Sequence, residues 1–103
     1  MNIYWEPEFP DKGSEITIYV DVSETEFFRY AYQMNIHLST DSENYSTYAM
    51  SRDYEEGLFI WSYKYTVNGD FYFQIDNNYS FNDISINLMK ISDVDYFNDV
   101  KEY

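Results

Sequence analysis

The segment Glu15-Ile16-Thr17-Ile18-Tyr19-Val20-Asp21-Val22 decides the fold class. Successive side chains of an extended chain point to opposite sides. Ile16, Ile18, Val20 and Val22 therefore share one face, and Glu15, Thr17, Tyr19 and Asp21 share the other. This alternation predicts a half-buried strand whose wet face carries acids and a tyrosine.

The same period extends in both directions. Upstream, Asn2 to Trp5 is a short strand closed by the turn-rich run Glu6 to Gly13. Downstream, Phe28, Tyr30, Tyr32, Met34, Ile36 and Leu38 alternate with Arg29, Ala31, Gln33, Asn35 and His37. A polar loop, Thr40 to Asn44, leads to a weaker strand over Tyr45 to Met50 and a charged turn through Arg52, Asp53, Glu55, Glu56 and Gly57. Leu58 to Val67 and Phe71 to Asp76 then flank Asn68-Gly69, the dipeptide of a two-residue hairpin loop. In that register Val67 lies opposite Asp70, Tyr65 opposite Tyr72, Tyr63 opposite Gln74 and Trp61 opposite Asp76. One hairpin face would then be aromatic and hydrogen-bonding. The other, with Leu58, Ile60, Ser62, Lys64 and Thr66 against Phe71, Phe73 and Ile75, would be mostly core.

Asp76 to Ser80 reads as a turn and Ile84 to Ile91 as a last strand. Ser92-Asp93-Val94-Asp95 has the form of a capping box, and Val94, Phe97 and Val100 keep helical spacing, which predicts a short C-terminal helix. The expectation is one mostly β domain over residues 1–103. Its architecture is an antiparallel β-sandwich, or a strongly bent antiparallel sheet, of about six or seven strands with that helix.

Two features of composition bear on function. With 13 Tyr, 8 Phe and 2 Trp in 103 residues, a core of this size cannot hide every ring. Tyrosine suits the boundary because its ring buries while its hydroxyl stays wet. The formal net charge is −13, from 19 Asp and Glu against 6 Lys and Arg. The acids run from Glu6 to Glu102 without forming a tail, so the folded surface itself is negative. A surface of that sign disfavours nucleic acid and anionic membrane as direct ligands, since both are bound by neutralising phosphate with Lys and Arg. Absence of cysteine removes disulfide and thiolate chemistry. The opening Met1-Asn2-Ile3-Tyr4-Trp5-Glu6 has no basic start or apolar run, so the expectation is a protein that stays in the cytoplasm or a domain cut from a longer chain.

Residues suited to catalysis are few. His37 is the single histidine, sits in an alternating strand, and reads as structural. No Gly-rich phosphate loop or nucleophile elbow is present. Asp93-x-Asp95 opens like a calcium loop, but Phe97 holds the fifth position and the turn glycine is missing. Asp41-x-Glu43 and Asp53-x-Glu55-Glu56 lack ligand spacing. A non-enzymatic binding protein without cofactor or metal is the expectation.

Two binding readings compete, and the charge excess, larger than sugar binding requires, places the first ahead of the second. In the first, carboxylates and aromatic rings on wet faces mimic nucleic acid and block the basic surface of a nucleic-acid-binding protein. Its residues are Glu15, Tyr19 and Asp21 on one strand, Asp53, Glu55 and Glu56 on the turn, and Trp61, Tyr63, Tyr72 and Asp76 on the hairpin. In size, charge and lack of cysteine the chain resembles phage anti-CRISPR inhibitors and the immunity proteins of nuclease toxins. That likeness is compositional and implies a cytoplasmic protein.

The second reading rests on residues. Trp5-Glu6-Pro7, then Pro10-x-x-Gly13 and Ile16-Thr17-Ile18, is similar to the opening of immunoglobulin-like bacterial domains. Gly57-x-x-x-Trp61-Ser62-Tyr63 and Phe71-Tyr72-Phe73 resemble stretches of starch-binding sandwich modules. This resemblance implies an extracellular carbohydrate-binding module that stacks sugar rings on Trp5, Trp61 and Tyr63.

Overall fold

The computed structural model describes residues 2–24, 33–76 and 89–91. In chain order its strands are β1 (Asn2–Glu6), β2 (Glu15–Asp21), β3 (Asn35–Ser39), β4 (Ser46–Ala49), β5 (Ser51–Arg52), β6 (Ile60–Thr66), β7 (Phe71–Asp76) and β8 (Met89–Ile91). They form two antiparallel sheets, β1-β2-β6-β5 and β4-β3-β7-β8, packed as a sandwich. The fold is mostly β, as the alternation predicts. The expected helix over 92–103, the turn residues 77–80 and the first half of the long alternating stretch, 28–32, lie outside the described residues.

Strand β2 behaves as its alternation requires. Ile16, Ile18, Val20 and Val22 are fully buried. Register carries that inner face sideways: Ile16 pairs with Tyr65, Ile18 with Tyr63 and Trp5, and Val20 with Trp61 and Ile3. From the opposite sheet come Ile36, Leu38, Phe71, Phe73 and Ile75. Trp5 meets Phe73 edge-on, with ring centroids 6.0 Å apart. Full burial of each such side chain stabilises by roughly 1.5–3 kcal/mol.

The expected hairpin is wrong. β6 pairs with β2 and β7 pairs with β3, so Tyr65 never lies beside Tyr72, nor Trp61 beside Asp76. The cause is Val67. It is fully buried, its N–H donates to the Ser14 carbonyl at 2.8 Å, and its carbonyl accepts the Gly13 N–H at 2.6 Å. Pairing with the β2 side thus continues to Val67, and the chain crosses between sheets at Asn68-Gly69. Gly69 has φ of 145°, a conformation that a Cβ would oppose.

On β7 the expected core face, Phe71, Phe73 and Ile75, is buried, and so is Ile60, but along the rest of β6 the face assignment reverses. Trp61, Tyr63, Tyr65 and Val67 point inward, whereas Lys64 and Thr66 are exposed. Leu58, expected in the core, is 61% exposed.

Candidate functional site

Among the described residues the two sheets do not close along one side. Strand β4 is the edge of its sheet, and opposite it β6 is covered by β5 only at Trp61 and Ser62. Between them runs a groove of about 460 Å³, lined by Leu38, Ser39, Thr40, Asn44, Ser46, Tyr48, Tyr63, Lys64, Tyr65 and Thr66. Alternation on β4 explains the lining. Ser46 and Tyr48 lie opposite the inward residues Leu38 and Ile36, while Thr47 and Ala49 lie opposite His37 and Asn35.

Tyr48 and Tyr63 form the aromatic wall. Their rings stack with centroids 5.4 Å apart and planes at 28°. Tyr48 keeps 44% of its surface exposed, so the stack leaves ring surface open to a ligand. Burial pushes the Tyr63 phenol above its ordinary range, with neighbouring Tyr48 adding to the effect. Tyr65 is raised the same way, by burial first and then by Tyr48 and Tyr63. Both hydroxyls therefore remain neutral at physiological pH.

One end of the groove is organised by Asp41. Its Oδ1 accepts the N–H groups of Glu43 and Asn44, each at 2.8 Å, and the Ser39 hydroxyl at 2.9 Å. Its Oδ2 accepts the Asn44 side-chain N–H at 2.8 Å. The backbone N–H of Asn44 contributes most to holding this carboxyl well below the usual carboxylate range. These bonds fix the loop that carries Thr40 and Asn44 to the groove.

On the outer face of the same sheet, His37 ties three strands together. Its Nδ1 lies 2.7 Å from Thr47 Oγ1 on β4, and its Nε2 lies 2.7 Å from Asp76 Oδ2 on β7. The tautomer with hydrogen on Nε2 donates to Asp76 and accepts from Thr47. Tyr48 is the next residue along from Thr47, so this network positions the groove wall from behind.

A second surface lies on the outer face of the other sheet. Tyr4 and Tyr19, opposite each other in the β1–β2 register, stack with centroids 4.9 Å apart and planes at 17°. Burial raises both phenols first, and the carboxylates around them raise them further: Glu56, Asp21 and Glu6 for Tyr4, and Glu56, Glu6 and Asp53 for Tyr19.

The sequence-derived sites divide between these places. Tyr19, Asp21, Asp53 and Glu56 gather around the tyrosine stack, although Tyr19 itself is only 8% exposed. Glu15 lies farther along β2, opposite Thr66, and Glu55 is exposed on the turn. Tyr63 belongs to the groove. Tyr72 and Asp76 alternate with the buried residues of β7 and share the outer face of the other sheet with His37.

Trp61 belongs to neither surface. It is 5% exposed, beneath the Arg52 guanidinium 5.0 Å from its ring centroid. Trp5 packs on the core. The sugar-stacking role expected of Trp61 therefore does not hold, whereas Trp5 is half-buried and lines a separate hollow with Ile3, Tyr4, Glu6 and Glu8.

Sequence reasoning missed Tyr48, Tyr65 and Tyr4. Tyr48 was legible as the inward partner of Met50 and Ser46 by alternation. What singles it out, the gap beside β6, depends on the two sheets and has no local signal. No protein-family model, curated protein or solved structure matches this chain.

Proposed function

We propose that the chain is a carbohydrate-binding module whose site is the groove between β4 and β6. The observation that carries this reading is the composition of the groove wall. Among the described residues no carboxylate lines it, although the chain is rich in them; the lining is three tyrosines, hydroxyl and amide side chains, Leu38 and Lys64. Tyrosine rings offer flat faces to the C–H surface of a sugar. Ser46, Asn44, Thr40 and Thr66 offer neutral hydrogen bonds around them, the pairing of apolar body and placed polar groups expected of a small-molecule site. A module of this kind works outside the cell, where polysaccharide is met. The test is retention of the chain in native gels cast with individual soluble polysaccharides, compared with Tyr48→Ala.

A second reading, docking on the basic surface of a nucleic-acid-binding protein, is favoured by the Tyr4–Tyr19 stack and its surrounding Glu6, Asp21, Asp53 and Glu56. Opposite fields would speed such an encounter. It ranks second because its hairpin face of Trp61, Tyr72 and Asp76 does not assemble. Low-salt capture of cytoplasmic proteins on the immobilised chain, eluted by a salt gradient, tests it.

A further inference from the structure

The groove does not end at Lys64. A second hollow of about 350 Å³, lined by Ala49, Ser51, Ser62, Tyr63 and Lys64, begins there. The two hollows share Tyr63 and Lys64, so they are successive stations along one strand.

The backbone of β6 adds directional groups along the same line. In an antiparallel strand the N–H and C=O of one residue point the same way, and alternate residues point opposite ways. Both groups of Val67 point toward the β2 side, where they bond Ser14 and Gly13. Those of Ser62, Lys64 and Thr66 therefore point away from β2. The Ile60 carbonyl, in the same phase, accepts the Asp53 N–H at 2.8 Å, as this alternation requires. β5 pairs only with Trp61 and Ser62. Among the described residues no strand meets the backbone edge at Lys64 and Thr66, and both residues line the groove.

We infer that the two hollows form one elongated cleft for a neutral oligosaccharide of at least two units. One sugar ring lies against Tyr48 and the next reaches the Ala49–Ser51 hollow. The edge N–H and C=O groups of Lys64 and Thr66 bond hydroxyls between them. This rests on the carbohydrate reading and specifies its ligand. Neutrality follows from the charge balance: among the described residues Lys64 is the single charged side chain lining either hollow, and the chain's net charge of −13 repels an anionic sugar.

Calorimetric titration with glucose, xylose and mannose, and with their soluble oligomers up to the hexamer, tests the cleft. Affinity for at least one series is expected to rise about tenfold or more from monomer to trimer, a gain of about 1.4 kcal/mol. In Ser51→Trp and, independently, Ala49→Trp, which put bulk in the second hollow, the advantage of trimer over monomer should disappear. Equal affinity for monomer and hexamer would overturn the elongated cleft while leaving saccharide binding standing. An unchanged length dependence in both tryptophan variants would overturn it too. Absence of binding by every sugar tested would overturn the carbohydrate reading and the cleft with it.

Discussion

Tyr65 and Phe71 face each other across the sandwich, with ring centroids 4.6 Å apart, although only the short connection Thr66–Asp70 joins them. They would lie on opposite faces of a two-residue hairpin. Instead the chain changes sheets between them, so the inward residues of β6 and β7 become the two sides of one core.

Phe73 sits in that core against Leu38, its partner on β3, and against Trp5 from the other sheet. Phe73→Ala should cost about 3–5 kcal/mol. The urea midpoint followed by tryptophan emission reads this directly, because Trp5 loses its edge-on partner. A loss below about 1 kcal/mol would contradict the packing of the two sheets.

The crossover can be tested by itself. Gly69 has positive φ, and a Cβ added there would meet no atom within 4 Å, so Gly69→Ala introduces backbone strain without a clash. It should destabilise by about 1–2 kcal/mol. A neutral or stabilising result in the same denaturation would show that the chain turns between β6 and β7 in another way.

Alkaline pH probes the buried phenols. Tyr4, Tyr19, Tyr63 and Tyr65 all hold their protons above the ordinary value of 10.0. A group raised on folding stabilises fully below its unfolded value, and that contribution is lost as pH rises through the folded value. The denaturation midpoint should therefore hold steady up to about pH 10 and fall above it. Part of the phenolate absorbance should appear only as the chain unfolds. A midpoint indifferent to alkaline pH would contradict the burial of these rings.

Asp41 separates loop organisation from overall stability. Its carboxylate is exposed, so Asp41→Ala should leave the thermal midpoint nearly unchanged while releasing Asn44 and weakening saccharide binding severalfold. Because its folded pKa is depressed, the wild-type loop should keep its order as pH falls through the usual carboxylate range, and lose it only in stronger acid. Backbone amide shifts of Glu43 and Asn44 against pH report this. Loss of loop order near pH 4 would contradict the hydrogen-bonded arrangement.

Much of the fold was legible in one dimension. The alternation of Ile16, Ile18, Val20 and Val22, and of Phe71, Phe73 and Ile75, identified β2 and β7 and their buried faces, because period-two burial is a local property of a strand. Asn68-Gly69 misled for a physical reason. The dipeptide reports a chain reversal, and reversal within a sheet and crossing between sheets demand the same positive-φ glycine. Burial of Val67 and its bonds to Gly13 and Ser14 decide between them, and those partners lie far away in sequence. The same gap hid the groove. Tyr63 was among the candidate residues, but Tyr48 joins it only because β5 stops after Arg52 and, among the described residues, no further strand covers that edge of β6.

A saccharide site at Tyr48 is decided by mobility in native gels containing single polysaccharides, with wild type and Tyr48→Ala run side by side. Wild type should be retarded by at least one polysaccharide, and the variant should migrate as it does without sugar while melting near the wild-type temperature. Retardation of both chains to the same extent, or of neither by any polysaccharide, would contradict a saccharide site in the groove between β4 and β6.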